Sequence, residues 1–437
     1  MKAAAILKAR EERGLEIVKL EKAYSMTVIS VTVNIPGGNK AHEDYSWIGV
    51  LAFNEIRKRL AQNSIIHESF RYSADGPEGF IVSEGKPEEL KKIAVNIEES
   101  HPLGRLFDID ISGHSRMNNG EKRACFLCGG DANRCRRIKN HSISDLMSEI
   151  DSLIEDWDET IIENAVQSVV VAMRKEVDAT PKPGLVDQMN NGSHSDMEYG
   201  TFIKSIQALK PYFKEMAVSA TCWNKSAETL FSALRPIGKK AEEAMLKATG
   251  GVNTHRGQIF SLGLAVGAGC YLKRRGEATT DAISAFISEM VRGISYAELK
   301  IKTEPSTHGE KMYDAYGVTG IRGEAEKGFK AAFNVGLPAY EEALSSGLDE
   351  NSAAVKSLVF IMAVLEDSNV YRRGGPNSAA WVKKTASCLM ENGMSFKEFP
   401  LSQIREFDAE MIRRNISPGG AADMLALAIF VNKFMAS

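Results

Sequence analysis

Asp108-Ile109-Asp110 is the sharpest local chemical signal in the chain. Residues two apart on a strand point to one face, so Phe107, Ile109 and Ile111 would face a core while both aspartates project together. Aspartate is a poor strand former, and two side by side repel unless a cation sits between them. Mg²⁺ takes hard oxygen ligands of this kind, and such a pair suits nucleotidyl transfer, where metal neutralises charge on a phosphoryl group and its pyrophosphate leaving group. The competing reading is a pair of solvated aspartates on an exposed strand. A second constellation, Cys125, Cys128, Cys135 and His141, has the ligand types and count of a structural zinc site. Its spacing is not that of a standard knuckle. Reduced cysteines in a small loop-rich subdomain are therefore the preferred reading, with zinc allowed but not favoured.

Further along, polar junctions rich in glycine and proline recur. They are Glu176–Asp187 continuing through Asn190, Gly192, His194 and Asp196; Gly251–Gly257 with His255 and Arg256; Thr303–Glu310 followed by Gly320–Glu324; Asp367–Gly375; and Asn415–Asp423. Each mixes glycine, which permits close backbone approach, with groups able to hold phosphate or metal. Thr180-Pro181 and Ser417-Pro418 are also helix-start signals, and helix N-termini favour anions. Taken singly each junction is best read as a capped loop; together, in one helical region, they point to a polyphosphate site. No Gly-x4-Gly-Lys-[Ser/Thr] loop and no Gly-x-Gly-x-x-Gly after a strand occurs, which argues against P-loop and dinucleotide folds.

The elements that must position these residues fall into two regimes. Up to about residue 140 strand and helix signals mix. Thr27–Ile35 alternates, with Ile29, Val31, Val33 and Ile35 on one face and Ser30, Thr32 and Asn34 on the other, as a half-buried strand does. Asp44–Ala61 reads as a helix, Ile65–Tyr72 as a strand, Ala74–Pro77 as a turn and Phe80–Ser83 as a strand. A helix starts at Pro87 and runs to Ser100, and Arg105–Ile111 is a fourth strand. The order β-α-β-β-α-β predicts a ferredoxin-like α+β domain, with one sheet face under two helices, the other open, and Ser30, Thr32 and Asn34 bordering the aspartates. The polar stretch Ser112–Arg123 marks the transition. Beyond it about eleven helical segments, among them Glu155–Val177, Phe202–Val218, Ala325–Ala332, Ser352–Leu365 and Ala421–Phe434, predict an all-α bundle. The expected domains are residues 1–141 and 142–437.

Composition narrows the function classes. With 437 residues, 43% apolar and 25% charged, the profile is that of an ordinary soluble globular protein. A formal net charge of −3 gives no basic excess for nucleic acid or an anionic membrane. Six cysteines are too thinly spread for a disulfide scaffold and fit a reducing cytoplasm. The N-terminus is too soon charged for a signal peptide, and Gly257–Leu272 is too short for a bilayer span and reads as a buried core helix. A soluble, cytoplasmic protein is the expectation.

Asn34-Ile35-Pro36-Gly37, Gly76-Pro77-Glu78 and His101-Pro-Leu-Gly-Arg-Leu-Phe-Asp-Ile-Asp110, with the Cys-x2-Cys-Gly segment, Cys135 and His141, resemble the apo-citrate lyase phosphoribosyl-dephospho-CoA transferase family over roughly residues 1–141. The segment after Cys135 reads Arg-Arg-Ile-Lys where Ala-Arg-Ser-Arg is expected, and Gly38-Asn39 stands where Pro-Val is commoner. Pro181-Lys-Pro-Gly-Leu-Val-Asp187, Gly251-Val-Asn-Thr-His255, Arg322-Gly-Glu324 and Ser417-Pro-Gly-Gly420 resemble, in order, the triphosphoribosyl-dephospho-CoA synthase family over residues 155–437, with Arg at 256 where Lys is expected. The resemblance implies that the 2′-hydroxyl of 3′-dephospho-CoA attacks ribose C1′ of ATP and adenine leaves. The product would then be joined to a serine of the citrate lyase acyl carrier (gamma) subunit with loss of pyrophosphate. It further implies that Glu176, Asp187, Asp196, Glu310 and Asp423 include the Mg²⁺ ligands and the acid/base, Asp187 and Asp423 binding metal as Asp108 and Asp110 do in the first domain. Lys182, His255, Arg256, Arg322 and Arg372 become triphosphate clamps, and Arg105, His194, Asn377 and Ser417 further binding residues. The rival readings are a nucleotide ribosyl hydrolase and a non-catalytic citrate lyase maturation factor.

Overall fold

The computed structural model describes residues 2–36, 39–60, 64–113, 124–300, 308–393 and 400–437. The chain forms two compact units, Met1–Thr160 with Lys273–Glu277, and Ile161–Leu272 with Ala278–Ser437. Most of the polar stretch Ser112–Arg123, the start of the Thr303–Glu310 junction and Gly37-Gly38 lie outside the described residues.

The first unit comprises α1 (Lys2–Tyr24), β1 (Thr27–Val33), α2 (Glu43–Arg59), β2 (Ile65–Ser73), β3 (Gly76–Ser83), α3 (Pro87–Ser100), β4 (Phe107–Ile111), the short α4 (Ala132–Ile138) and the start of α5 (Ile143–Asp178). The strands form a four-stranded sheet ordered β2-β3-β1-β4, with every neighbouring pair antiparallel. Ile29, Val31, Val33, Ile81, Ile109 and Ile111 share one core with Ile48, Leu51 and Ile56 of α2 and Leu90, Ala94 and Ile97 of α3. The period-two pattern of β1 and β4 therefore puts the expected residues under the expected helices.

The opposite sheet face is not open. Helix α1, absent from the sequence expectation, lays Leu20 onto Val28, Phe80 and Val82, and these form a second small apolar cluster. Charge fixes the other end of the helix. Arg10 and Arg13 each donate to Asp75, Arg13 also reaches Glu78 at 3.1 Å, and Lys40 and Arg71 complete the pairing of these two carboxylates. Gly76 makes the hairpin possible, with φ of +101° and a Cβ position only 2.9 Å from the Lys40 carbonyl oxygen. A side chain at that position would be strained in backbone and blocked in space.

The second unit holds the rest of α5, then α6 (Tyr199–Thr221), α7 (Ala227–Ala248), α8 (Arg256–Arg274), α9 (Thr280–Met290), α10 (His308–Tyr316), α11 (Gly320–Glu326), α12 (Leu337–Ser345), α13 (Glu350–Val364), α14 (Ser368–Gly393), α15 (Leu401–Arg413) and α16 (Gly419–Ala436). Helix α8 is the buried core helix expected from its composition. Helix α16 is long and apolar enough to cross a bilayer, yet most of it packs inside this unit. Two local expectations are corrected. Ala325–Ala332 is not one helix, because Gly328 and Phe329 both take positive φ and the chain resumes as a π-helical turn at Ala331–Gly336. Thr180-Pro181 starts no helix: its peptide is cis, and the backbone N–H groups of Lys182 and Gly184 donate to the carboxylates of Asp187 and Asp408 instead of to carbonyls one turn back.

The charge network makes α1 dependent on Glu78, whose side chain is fully buried between Arg13 and Arg71. Removing Glu78 leaves Arg13 on Asp75, and Arg71 open to solvent, so the cost is that of the lost charge-assisted hydrogen bonds, about 1.5–3 kcal/mol. Glu78→Ala is expected to lower first-unit stability by that amount in denaturant melts. Arg10→Ala, at a half-exposed cation, should cost about 1 kcal/mol or less.

Candidate active site

In the first unit, β4 pairs with β1 so that Asp108 lies opposite Thr32 and Asp110 opposite Ser30. Burial along β4 alternates, with Phe107, Ile109 and Ile111 inside and both aspartates half-exposed. Thr32 Oγ1 donates to Asp108 Oδ2 at 3.2 Å. Arg10 is held further in its charged form, first by its hydrogen bond to Asp75 and also by the charge of Asp108. The motif strings converge here: the Asn34 backbone N–H donates to the Leu106 carbonyl, and its side-chain amide to that of Arg105. Arg105 is in turn anchored, donating to the Ala124 carbonyl at 3.2 Å with its guanidinium 4.7 Å from the Phe126 ring centre. Cys125, Cys128, Cys135 and His141 come together, their ligand atoms all within 4.8 Å of one another. Sequence reasoning missed Arg10, Arg13, Lys40, Arg71, Asp75 and Glu78, since ion pairs joining distant segments leave no local signal.

In the second unit the site is built where the end of α5, the loop 179–198 and the first turns of α8 and α16 meet. Glu176 and Lys182 form a fully buried pair, with Lys182 Nζ 2.7 Å from Glu176 Oε1 and 2.9 Å from the Glu176 carbonyl oxygen. Gln258 Nε2, from the first turn of α8, donates to the other Glu176 oxygen at 3.1 Å. Asp423 comes from the second turn of α16 and presses against Gly257, where a Cβ would stand 1.8 Å from Asp423 Oδ2. Asp423 is partly buried. Its carboxyl is pushed well above the usual carboxylate range, first by burial and then by the charges of Glu176 and Asp367. Asp367 is itself raised by burial, partly offset by backbone N–H groups of Ala421, Asn369, Val370 and Gly420. It thus sits at the N-terminus of α16, where an anion is favoured.

Asp187 is tied to the backbone of its own loop. Its Oδ1 accepts from the backbone of Met189 and Asn190, and Oδ2 from that of Lys182, so it folds the loop that presents Lys182. Asp408, not anticipated from sequence, braces the same loop through Gly184 and Asn190. His255 is buried, 2.6 Å from Ser205 Oγ through Nδ1, and its Nε2 meets no protein partner among the described residues. Burial first, and then nearby Lys182, depress its pKa to about 3.

A basic corner adjoins the loop. Arg373 donates to the Ser193 carbonyl, to Asn415 Oδ1 and to His194 Nδ1, and His194 Nε2 lies 2.8 Å from Ser417 Oγ. Burial and then the Arg373 charge lower the His194 pKa, and Arg372 adds to the same effect. Arg372 therefore lies beside Arg373, while Asn377 follows the bend in α14 at Gly375, where φ is 69°. Asp196 is mostly exposed, 3.6 Å from His194. Arg322 pairs with Glu298 at 2.7 Å, and Arg235 binds the same carboxylate. Glu310 is buried in the first turn of α10, next to Gly309, whose Cβ position is 3.3 Å from Arg322 Nη1. Arg256 pairs with Glu242 at 3.0 Å, where its side chain is half-exposed.

A mixed sheet-and-helix unit with paired aspartates and anchored arginines, followed by a helical unit with buried carboxylates and a cationic loop, has the charged groups that an enzyme of phosphorylated substrates needs. Residues 1–157 match the model for apo-citrate lyase phosphoribosyl-dephospho-CoA transferase (CitX), and residues 162–437 that for ATP:dephospho-CoA triphosphoribosyl transferase (CitG). The chain is 34% identical to protein CitXG of Haemophilus influenzae over 450 residues, covering 98% of this chain and 96% of the relative. It is 33% identical to protein CitXG of Leuconostoc mesenteroides subsp. cremoris over 455 residues, covering 99% and 97%. The chain belongs to the CitXG family, fused transferases of citrate lyase prosthetic-group synthesis.

The buried histidine yields a test. His255 is neutral in the folded protein down to about pH 3 but titrates near its ordinary value of 6.5 when unfolded. Stability is therefore undiminished above about pH 6.5 and is lost as pH falls through that value towards 3. Between pH 7 and pH 5 a His255→Gln variant should lose about 2 kcal/mol less stability than the unsubstituted protein in denaturant melts. Parallel losses would mean that His255 is accessible to protons in the fold.

Proposed function

We propose that the helical domain transfers the 5-triphosphoribosyl group of ATP to the 2′-hydroxyl of 3′-dephospho-CoA, and that the N-terminal domain passes the product to a serine of the citrate lyase acyl carrier subunit. In the first step the hydroxyl oxygen bonds to ribose C1′ as the C1′–N9 bond breaks. The departing electron pair goes to adenine, which takes up a proton. In the second step the serine oxygen bonds to the phosphorus nearest the ribose and pyrophosphate leaves. The setting is the cytoplasm.

The observation that carries the reading is the crowding of Asp423 with Glu176 and Asp367: burial first, and then the charges of these two neighbours, favour the protonated form of Asp423. Such crowding fits a divalent cation. Glu176 and Asp423 are the side chains that would hold Mg²⁺, whose charge would offset that of the triphosphate. Glycosyl transfer needs stabilisation of an oxocarbenium-like centre and a proton for the leaving base. Asp423 is placed for the first need when ionised and for the second when protonated. Lys182, His194 with Arg373 and Arg372, Ser417 and Arg322 are the groups for the phosphates. In the first domain Asp108 and Asp110 would share Mg²⁺, beside Arg10 and Arg105. The strand order β2-β3-β1-β4 supports a ferredoxin-like reading of that domain. We place the junction of the two domains within α5, where the compact units part and the family matches end and begin, at 157 and 162.

The test is chromatography of reactions containing full-length protein, ATP, dephospho-CoA and Mg²⁺. Adenine and a triphosphoribosylated dephospho-CoA should appear together, in equal amounts and only with both substrates present. Adenine released without dephospho-CoA would make the domain a hydrolase, and no adenine from folded protein would remove the catalytic reading. Asp423→Asn should slow adenine release about 10²-fold or more. Gly257→Ala should do nearly as much by displacing the Asp423 carboxylate, at a stability cost of about 1 kcal/mol. Arg256→Ala, whose cation is engaged by Glu242, should change the rate less than about tenfold.

A further inference from the structure

The segment Ala124–His141 of the first unit lacks an apolar core of its own. Helix α4 buries none of its side chains, and an isolated helix this short is unstable in water. Phe126 packs against the edge of the first unit's core at the start of the segment, but no buried apolar side chain anchors α4 itself. Within the segment, Cys125 is buried, and Cys125, Cys128, Cys135 and His141 each turn a ligand atom to one point, all within 4.8 Å of one another. Four ligands at about 2.0–2.3 Å around a tetrahedral centre lie about 3.3–3.8 Å apart, and Cys128 Sγ to Cys135 Sγ is 3.4 Å. That separation is well beyond the ~2.05 Å of a disulfide, and a disulfide would leave the other two ligands without purpose.

The surroundings suit a metal. The Cys125 N–H donates to the Gly130 carbonyl and the Gly129 N–H to the Cys125 carbonyl, closing a turn in which Gly129 has φ of +69°. This turn brings Cys128 back beside Cys125. Backbone N–H groups of Cys128 and Leu127 point at the Cys125 sulfur, and the Asn140 side-chain amide lies 3.1 Å from His141 Nε2. Outer contacts of this type orient metal ligands. Three thiolates and a neutral imidazole around Zn²⁺ leave one net negative charge, and Arg134, Arg136, Arg137 and Lys139 stand on or beside α4 to offset it.

We propose that Cys125, Cys128, Cys135 and His141 form a structural zinc site. It closes the first unit's C-terminal segment and fixes Ala124 and Phe126, the two residues that hold the Arg105 guanidinium. With four protein ligands the coordination is complete, so the metal organises and does not react with substrate.

Full-length protein, purified under reducing conditions, is assayed for zinc by elemental analysis and then exchanged with Co²⁺. About one zinc per chain is expected, and the cobalt form should show thiolate-to-cobalt charge-transfer absorption. Cys128→Ser/Cys135→Ser should lower zinc content at least tenfold and abolish that absorption, while Cys388→Ser, in α14, should leave both unchanged. A protein without zinc that gives no thiolate–cobalt band on adding Co²⁺ overturns the proposal. So does zinc retained in full by the double variant, or a Cys128–Cys135 disulfide found by mass spectrometry of the freshly purified chain. If the double variant fails to fold, the metal content and cobalt spectrum of the unsubstituted protein decide alone.

Discussion

Carboxylates gathered in a low-dielectric interior repel one another, and the second unit is arranged around containing that repulsion. Burial and the charges of Glu176 and Asp367 raise the cost of ionising Asp423, and each of the three carboxylates has its own surroundings. Glu176 takes Lys182 and Gln258 as partners. Asp367 takes the peptide N–H groups at the start of α16. Asp423 has Gly257 pressed against it instead of a donor side chain, and it remains the group through which a cation would relieve the whole set. The loop 179–198 exists to place Lys182 in this arrangement, and Asp187 and Asp408 commit their carboxylates to its backbone. A helix would have satisfied those N–H groups more simply but would have carried Lys182 elsewhere.

The first unit uses charge in the same way but closer to its surface. Asp75 and Glu78 are buried by α1 only because Arg10, Arg13, Lys40 and Arg71 surround them. Cations thus outnumber the carboxylates they pair with, and the surplus lies on the side of the sheet that carries Asp108. A positive environment beside a half-exposed aspartate pair is what an incoming polyphosphate requires. The face that receives α1 is also the face that carries Asp108, and α1 places Arg10 within reach of its charge.

How much of this is legible in the sequence follows from how local each signal is. Period two is a local property, and by itself it places Ile29, Val31 and Val33 inside and Asp108 and Asp110 outward, as the fold does. Helix α1 is illegible because Leu7 and Leu15 remain 60% and 70% exposed, which blurs its apolar stripe, while its attachment rests on arginines that normally mark a solvated face. Asp367 stands inside a recognisable junction but has no feature separating it from Asp423. Arg372 and Arg373 are adjacent, and only the fold shows that Arg373 is the one locked onto His194. Asp408 lies on the amphipathic helix α15, where a lone acid looks solvated. The cysteines and His141 are visible as types, but whether their side chains turn inward depends on a turn that spacing does not specify.

The most direct measurement of the central arrangement is Mn²⁺ binding to the full-length protein, followed by the loss of the free aqueous Mn²⁺ electron paramagnetic resonance signal with ATP present. Subtracting the manganese held by the same ATP alone isolates the protein's share. If the crowded carboxylates form the cation site of the helical domain, the Asp108→Asn/Asp110→Asn protein should still capture Mn²⁺ beyond ATP alone, and adding Asp423→Asn should weaken that remaining capture at least tenfold. Capture unchanged on adding Asp423→Asn, or none beyond ATP alone in the Asp108→Asn/Asp110→Asn protein, would contradict it.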